Sequence, residues 1–423
     1  MSQEINKAEK QDLSLVVQAI GTDLEHTQVR VVASANADML FHYWKVGHFI
    51  LYLQKKEGWG SKVIDNLSKA IRSKYPDKKG YSRRNIFYMC QFASAYPLEV
   101  LKEMDRIDSL LTTPTVEKVL SLTNELNQIV QQPVALIQAT ENQSNTITQQ
   151  PVAQLEEVTE TLSTIYHCDI SQIEEMFKYS AIVRTNWASH VILLNSKLPL
   201  GECYWYISQA VANGWSRNVL QVQIETNLFA RQVTAKKVSN FSARLPKPQS
   251  DLANYLMKDP YIFDMMGQAD KMAERDVERQ LVSHITKYLL EMGSGFAFVA
   301  QQKHFEVGDS DFYADLILYN IPLHAYVVVE LKATPFKPEY MGQLNFYINV
   351  VDDTLRGEHD NKTIGLLLCN GGDKVVAQYA LSGYDQPIGV SDYQLSKAIP
   401  DNLKSALPTV EEVEEELNRI MNI

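Results

Sequence analysis

The sequence has little cysteine: four residues in 423, Cys90, Cys168, Cys203 and Cys369, with no C-x-x-C pair among them. That excludes a disulfide framework and a zinc ribbon. Long apolar runs are missing too. No stretch reaches the length needed to cross a bilayer, and the N-terminal MSQEINKAEKQD has no hydrophobic signal core. The expectation is a reduced, cytoplasmic protein with no membrane partner. The nine histidines are dispersed, with no HExxH or paired-ligand spacing. Positive charge is also short: a net charge of −11 excludes a chain coated in positive potential for nucleic acid. What remains is an ordinary globular composition, 45% hydrophobic and 22% charged, long enough for two or three domains.

The overall charge conceals a local reversal. From Lys55 to Arg84 there are ten Lys or Arg against three acids. Helical periodicity runs through residues 29 to 54. An amphipathic helix follows a cap at Ser61, and a further helix opens at Ser82 with Arg83 and Arg84 in its first turn. Helix, turn, and helix with a basic N-terminal end is what a helix-turn-helix or winged-helix DNA reader requires. The candidate nucleic-acid contacts are Lys62, Arg72, Lys74, Lys78, Lys79, Arg83 and Arg84. A helical interaction domain with a basic solvated face accounts for the same residues.

The chain divides by composition. Residues 1–123 form the helical, basic-patched region. Residues 124–155, rich in Gln, Asn and Thr and carrying QQPVA twice, read as a flexible linker or insertion. Helical patterning returns over 156–241. SARLPKPQSD (242 to 251) reads as a hinge into a third region, 252–400. Residues 401–423 form an acidic helix, EEVEEELNRI, with an apolar edge.

Chemistry concentrates in 252–400. GFAFVAQQKHFEV, DFYADLILYN, AYVVVELKA, TIGLLLC and VVAQYAL read as strands of an α/β domain. Alternation along AYVVVELKA sends Tyr326, Val328, Glu330 and Lys332 one way and Val327, Val329 and Leu331 the other. A carboxylate and an ammonium on a hydrophobic strand cost several kcal/mol unless paired, hydrated or bound to an ion. If the two central strands form a hairpin, Asp315 comes near Glu330. Two hard oxygen ligands then suit Mg²⁺, with Mn²⁺ as substitute, and suit zinc poorly. Lys332 can orient or deprotonate a bound water, or hold a phosphate. Asp311 is a second acidic candidate in a turn setting, and Gln302 lies on the preceding strand.

Asp, a gap, then Glu-x-Lys resembles the active-site pattern of the PD-(D/E)XK nuclease superfamily. MGQLNFY (341 to 347) is similar to the Gln-x-x-x-Tyr element of its RecB-like branch, and VERQLVSHI (277 to 285) to the helix that supplies a further Glu in resolvase-like members. The run from about 270 to 400 resembles the YhcG-like family more closely still, and the helical N-terminal region is similar to the region that family associates with DNA binding. Ala314 stands where the superfamily name has Pro.

The resemblance implies a restriction-endonuclease-like mixed sheet flanked by helices, behind a mostly α N-terminal region. It implies a metal-dependent DNA endonuclease with links to mobile elements or defence. Asp315, Glu330 and the main-chain carbonyl of Leu331 would hold Mg²⁺, Lys332 would act on the water, Glu278 would contact the metal or its water, and Gln343 would orient Lys332. Tyr347 supports the helix face. Cutting both strands of a duplex needs two sites, so a homodimer or larger homo-oligomer is expected. The alternative is a DNA-binding or assembly module on a nuclease fold, with weak or partner-dependent cleavage. An RNA-directed nuclease is a third reading.

Overall fold

The computed structural model describes residues 34–52, 62–76, 80–103, 106–107, 111, 114–139, 163, 169–264, 291–293 and 295–396. The chain falls into two compact units, Met1–Ser109 with Thr123–Val211, and Leu110–Leu122 with Ala212–Ile423.

The first unit is helical. Helix α1 (34–52) buries Ala37, Leu40, Phe41 and Trp44 on one stripe, the i, i+3, i+4, i+7 spacing of a core-facing helix. Helices α2 (Lys62–Lys74) and α3 (Arg83–Ala95) follow, with Ser82 capping α3 by accepting the Asn85 amide. A cluster of rings knits the interior: Phe92 meets Tyr96, Phe177, Trp187 and His190 edge-on. Helix α1 crosses α3 at Gly47, where an added Cβ would lie 2.1 Å from the Met89 carbonyl oxygen. Gly47→Ala must push the two helices apart, and thermal or denaturant unfolding should show a loss of about 1–3 kcal/mol.

His190 is fully buried and donates Nε2–H to the Ile182 carbonyl at 2.9 Å. Burial drags its pKa down to about 4. The unfolded chain therefore takes up a proton near pH 6.5 that the folded unit refuses until about pH 4, and stability drops as pH falls through that window. Melting midpoints between pH 7 and 4 should fall less steeply in His190→Gln, which cannot titrate.

The unit is mostly α, as the sequence predicts, with residues 75–82 between α2 and α3. One expectation for this unit departs from the structure. The supposed linker from 124 starts inside a helix spanning Val116–Ala139. Gln and Leu are good helix formers, and the Gln-rich composition was compatible with either state.

The second unit is built on a seven-stranded mixed sheet. Its strands are β1 (Val238–Ser239), β2 (Tyr261–Asp264), β3 (Phe296–Val307), β4 (Ser310–Asn320), β5 (Ala325–Lys332), β6 (Ile364–Cys369) and β7 (Ile388–Ser396). The order is β1-β7-β6-β5-β4-β3, with β2 also pairing β7. Strands β3, β4 and β5 are antiparallel hairpin partners, while β5, β6 and β7 run parallel. A helix over Tyr340–Thr354 covers one face, where Leu344 and Ile348 meet Ile317, Val328 and Leu367. The other face buries Leu316, Val327, Val329 and Leu331 against Phe241, Leu245, Ala253 and Met257.

Those last four residues correct the hinge at 242 to 251. That polar, proline-bearing segment carries two short helices, Phe241–Arg244 and Gln249–Leu256, whose apolar side chains close the sheet's second face. VVAQYAL is likewise a helix, Lys374–Leu381, rather than a strand. Asp373 caps it by accepting the Val375 amide, and Ala377 and Leu381 are buried one turn apart. The acidic segment 401–423 lies outside the described residues.

Candidate active site

β4 and β5 part company at the residues singled out by sequence. Their ladder ends at Leu316–Val329, although β4 continues to Ser310 against β3 and β5 continues to Lys332 against β6. Asp315 is the first residue beyond the last rung. Its Oδ2 accepts the Leu331 amide at 2.9 Å, taking over a donor that the ladder has released. A residue's N–H and C=O leave a strand on the same edge, so the Leu331 carbonyl faces this opening as well.

Asp315 also marks a turnover of the pleat. Ala314 packs with the cluster beneath helix Tyr340–Thr354, yet Leu316 packs with the cluster on the opposite face. Two residues apart on a regular strand would share a face. The neighbouring rungs on β3 are Lys303 with Ala314 and Gln301 with Leu316, so both strands turn over together between them. Gln302, in that interval, has φ +45° and donates Nε2–H to Asp315 Oδ1 at 2.9 Å.

On β5 the alternation holds as the sequence reading requires. Val327, Val329 and Leu331 enter one core, and Val328, Glu330 and Lys332 lie toward the other. Glu330 is 1% exposed, and Lys332 donates to its Oε1 at 2.8 Å. Lys332 also donates to Gln343 Oε1 at 3.1 Å, and Gln343 passes its own amide to the Tyr347 hydroxyl at 3.4 Å. Gln343 and Tyr347 sit one turn apart on the helix, which aligns them on one face. The Lys332 ammonium stands 5.4 Å from the Tyr340 ring centre, and Thr334 fixes the Tyr340 hydroxyl at 2.6 Å. Nothing in residue spacing pointed to Tyr340. Its contact with Lys332 depends on how the chain returns from β5 to the helix.

Asp315, Glu330, Lys332, Gln343 and Tyr347 are thus brought into one neighbourhood. Glu278 lies outside the described residues. Asp311 is not part of the group: it is exposed and pairs with His304 at 2.5 Å. Cys369 lies across the ladder from Lys332, and burial and then Asp392 push its thiol up to about 12. Among the described residues, no group of three or more His, Cys, Asp or Glu converges. The donor set is two carboxylates with a main-chain carbonyl at the same strand edge. Hard oxygen donors in that number fit a small divalent cation that keeps several of its waters, such as Mg²⁺ or Mn²⁺, and fit zinc poorly.

The proposed nucleic-acid residues lie in the other unit. Arg72 and Lys74 are exposed in the last turn of α2. Arg84 leans over the Tyr88 ring, and Arg83 is tied to Asp65 at 2.9 Å, so its charge is partly matched within the unit. Lys62 opens α2; Lys78 and Lys79 are outside the described residues.

Two family models match parts of the chain. Residues 254–408 match the YhcG PDDEXK nuclease domain, and residues 19–122 match the DUF1016 N-terminal domain. The Escherichia coli (strain K12) protein named "Putative nuclease YhcG" is 29% identical over 203 residues, covering 48% of this chain and 54% of that protein. The match therefore spans about half the length of that relative. A repair endonuclease from Pyrococcus abyssi, known from a crystal structure, aligns over 31% of this chain and 50% of its own, at 15% identity and a TM-score of 0.21. That superposition is too poor to transfer any feature.

Proposed function

From a chain that carries a YhcG PDDEXK nuclease domain and a DUF1016 N-terminal domain, we propose a divalent-metal-dependent endonuclease acting on DNA. The observation that supports it most is the meeting of Asp315, Glu330 and Lys332 where the β4–β5 ladder stops. Burying Glu330 beside a lysine is costly to folding unless the charges are used, and a sheet gains nothing from opening at its centre.

Asp315, Glu330 and the Leu331 carbonyl would hold the cation, which when bound lowers the pKa of a water and offsets charge on the phosphate. Glu330 anchors Lys332, and Gln343 fixes the ammonium from the helix side. So held, Lys332 can orient the attacking water through a hydrogen bond and balance negative charge building on the non-bridging phosphate oxygens. Tyr347, 4% exposed, sets the Gln343 amide and does not reach the substrate side. Arg72, Lys74 and Arg84 in the helical unit would contact backbone phosphates, which positions DNA without reading its sequence. Cutting both strands needs two such sites, so the active form is proposed to be a homodimer or larger homo-oligomer.

Supercoiled, linear, branched and single-stranded DNA, with RNA in parallel, should be incubated with the full chain in Mg²⁺, Mn²⁺ or chelator. Cleavage of DNA that chelator stops is the expected result. Cleavage undiminished by chelator would remove the metal, and cleavage confined to RNA would remove the DNA substrate.

A further inference from the structure

We propose that Gln302 is a positioning residue for the metal-binding carboxylate of Asp315, and that its left-handed backbone exists to serve that contact. The inference rests on the proposed function above and adds a part to that site. A residue other than glycine with φ +45° is uncommon, and glutamine is not among the types that tolerate it best. Edge strand β3 accepts this conformation at one point, opposite the residue where β4 turns over.

Without the turn at Gln302, a rung between Gln302 and Asp315 would put the two side chains together on one face of the sheet, as paired residues share a face. Asp315 would then point into a core, as Ala314 and Leu316 do on their opposite sides. With the turn, both side chains lie in the transition between faces. The Gln302 amide takes Asp315 Oδ1 at 2.9 Å, and the Leu331 amide takes Oδ2 at 2.9 Å. Each oxygen has a donor that helps fix its direction, and the carboxylate sits where the β4–β5 ladder ends. A ligand held in this way reaches a cation without reorganising, and outer contacts of this kind are commonly worth about 10- to 100-fold in metal affinity.

The test separates backbone from amide. Gln302→Gly keeps the left-handed turn at less strain, and Gln302→Asn keeps a residue suited to it but shortens the reach by one carbon. Mn²⁺ binding to the full-length variants, followed by isothermal titration calorimetry and by loss of the free-ion paramagnetic resonance signal, should weaken about 10- to 100-fold in both. The melting midpoint of Gln302→Gly should not fall. Asp315→Ala is the control for the site. If Asp315→Ala loses Mn²⁺ binding while Gln302→Gly and Gln302→Asn bind as wild type does, the role of Gln302 is overturned and the metal site stands. If Asp315→Ala binds Mn²⁺ unchanged, the metal site fails and this inference with it.

Discussion

Lys332→Ala is expected to lower divalent-dependent DNA cleavage by about 10³-fold while leaving DNA binding in Ca²⁺ nearly unchanged. The magnitude follows from what the ammonium touches. Lys332 is 18% exposed, donates to Glu330 Oε1 at 2.8 Å and to Gln343 Oε1 at 3.1 Å, and so is held at the mouth of the strand opening. A fixed positive group that meets charge developing on a phosphate acts more strongly in the transition state than in the ground state, which lowers kcat rather than raising KM. Lys332→Arg should not rescue it. A planar guanidinium cannot occupy the compact site between Glu330, Gln343 and the Tyr340 ring. Gln343→Ala removes one anchor of the ammonium and should fall between wild type and Lys332→Ala. Single-turnover rates on a pre-bound duplex separate this loss from any change in binding. Equal rates for wild type and Lys332→Ala would end the assignment of Lys332.

Glu291→Ala carries the largest expected cost to folding, about 3–5 kcal/mol. Glu291 is 6% exposed, and its Oε1 accepts from Arg231 at 2.5 Å and from the Ile262 amide at 3.1 Å. The ammonium of buried Lys258 lies 3.9 Å from the same oxygen and donates to the Glu291 main-chain carbonyl. One carboxylate thus serves two buried cations and the start of β2. Its removal takes away the carboxylate that both buried cations face. The loss should also depend on pH in a definite sense. Burial lowers the Lys258 pKa to about 8, and Glu291 is what keeps it from falling further. Without Glu291 the lysine gives up its proton at lower pH, so the variant escapes part of the penalty as pH rises toward 8. Urea unfolding at pH 6.5 and pH 9 should find the larger destabilisation at pH 6.5. A difference below about 1 kcal/mol at both would mean that the pair is not a buried one.

Local residue patterns revealed the centre of this fold and lost its margins. ELK and DFYADLILYN were legible because a charge inside a run of β-branched residues conflicts with burial, and only a strand opening resolves the conflict. The Gln343–Tyr347 spacing was legible because a helix turn is a fixed length. VVAQYAL was misread because two runs of three apolar residues around Gln378 suit a strand or a half-buried helix equally, and the deciding signal was the cap at Asp373. The segment 242 to 251 was misread because its polar surface hides Leu245, which with the preceding Phe241 finds partners only once the sheet exists. The joint turnover at Gln302 and Asp315 has no local signature at all, since it requires two strands in register.

The central claim is that Asp315 and Glu330 hold a divalent cation in the opening between β4 and β5. Crystals of the full chain grown with Mn²⁺ and measured near the manganese absorption edge test it most directly. The account predicts an anomalous peak within about 2.0–2.4 Å of an oxygen from each carboxylate. A structure with Mn²⁺ bound elsewhere, or with the two carboxylates turned away from a common point, would contradict it.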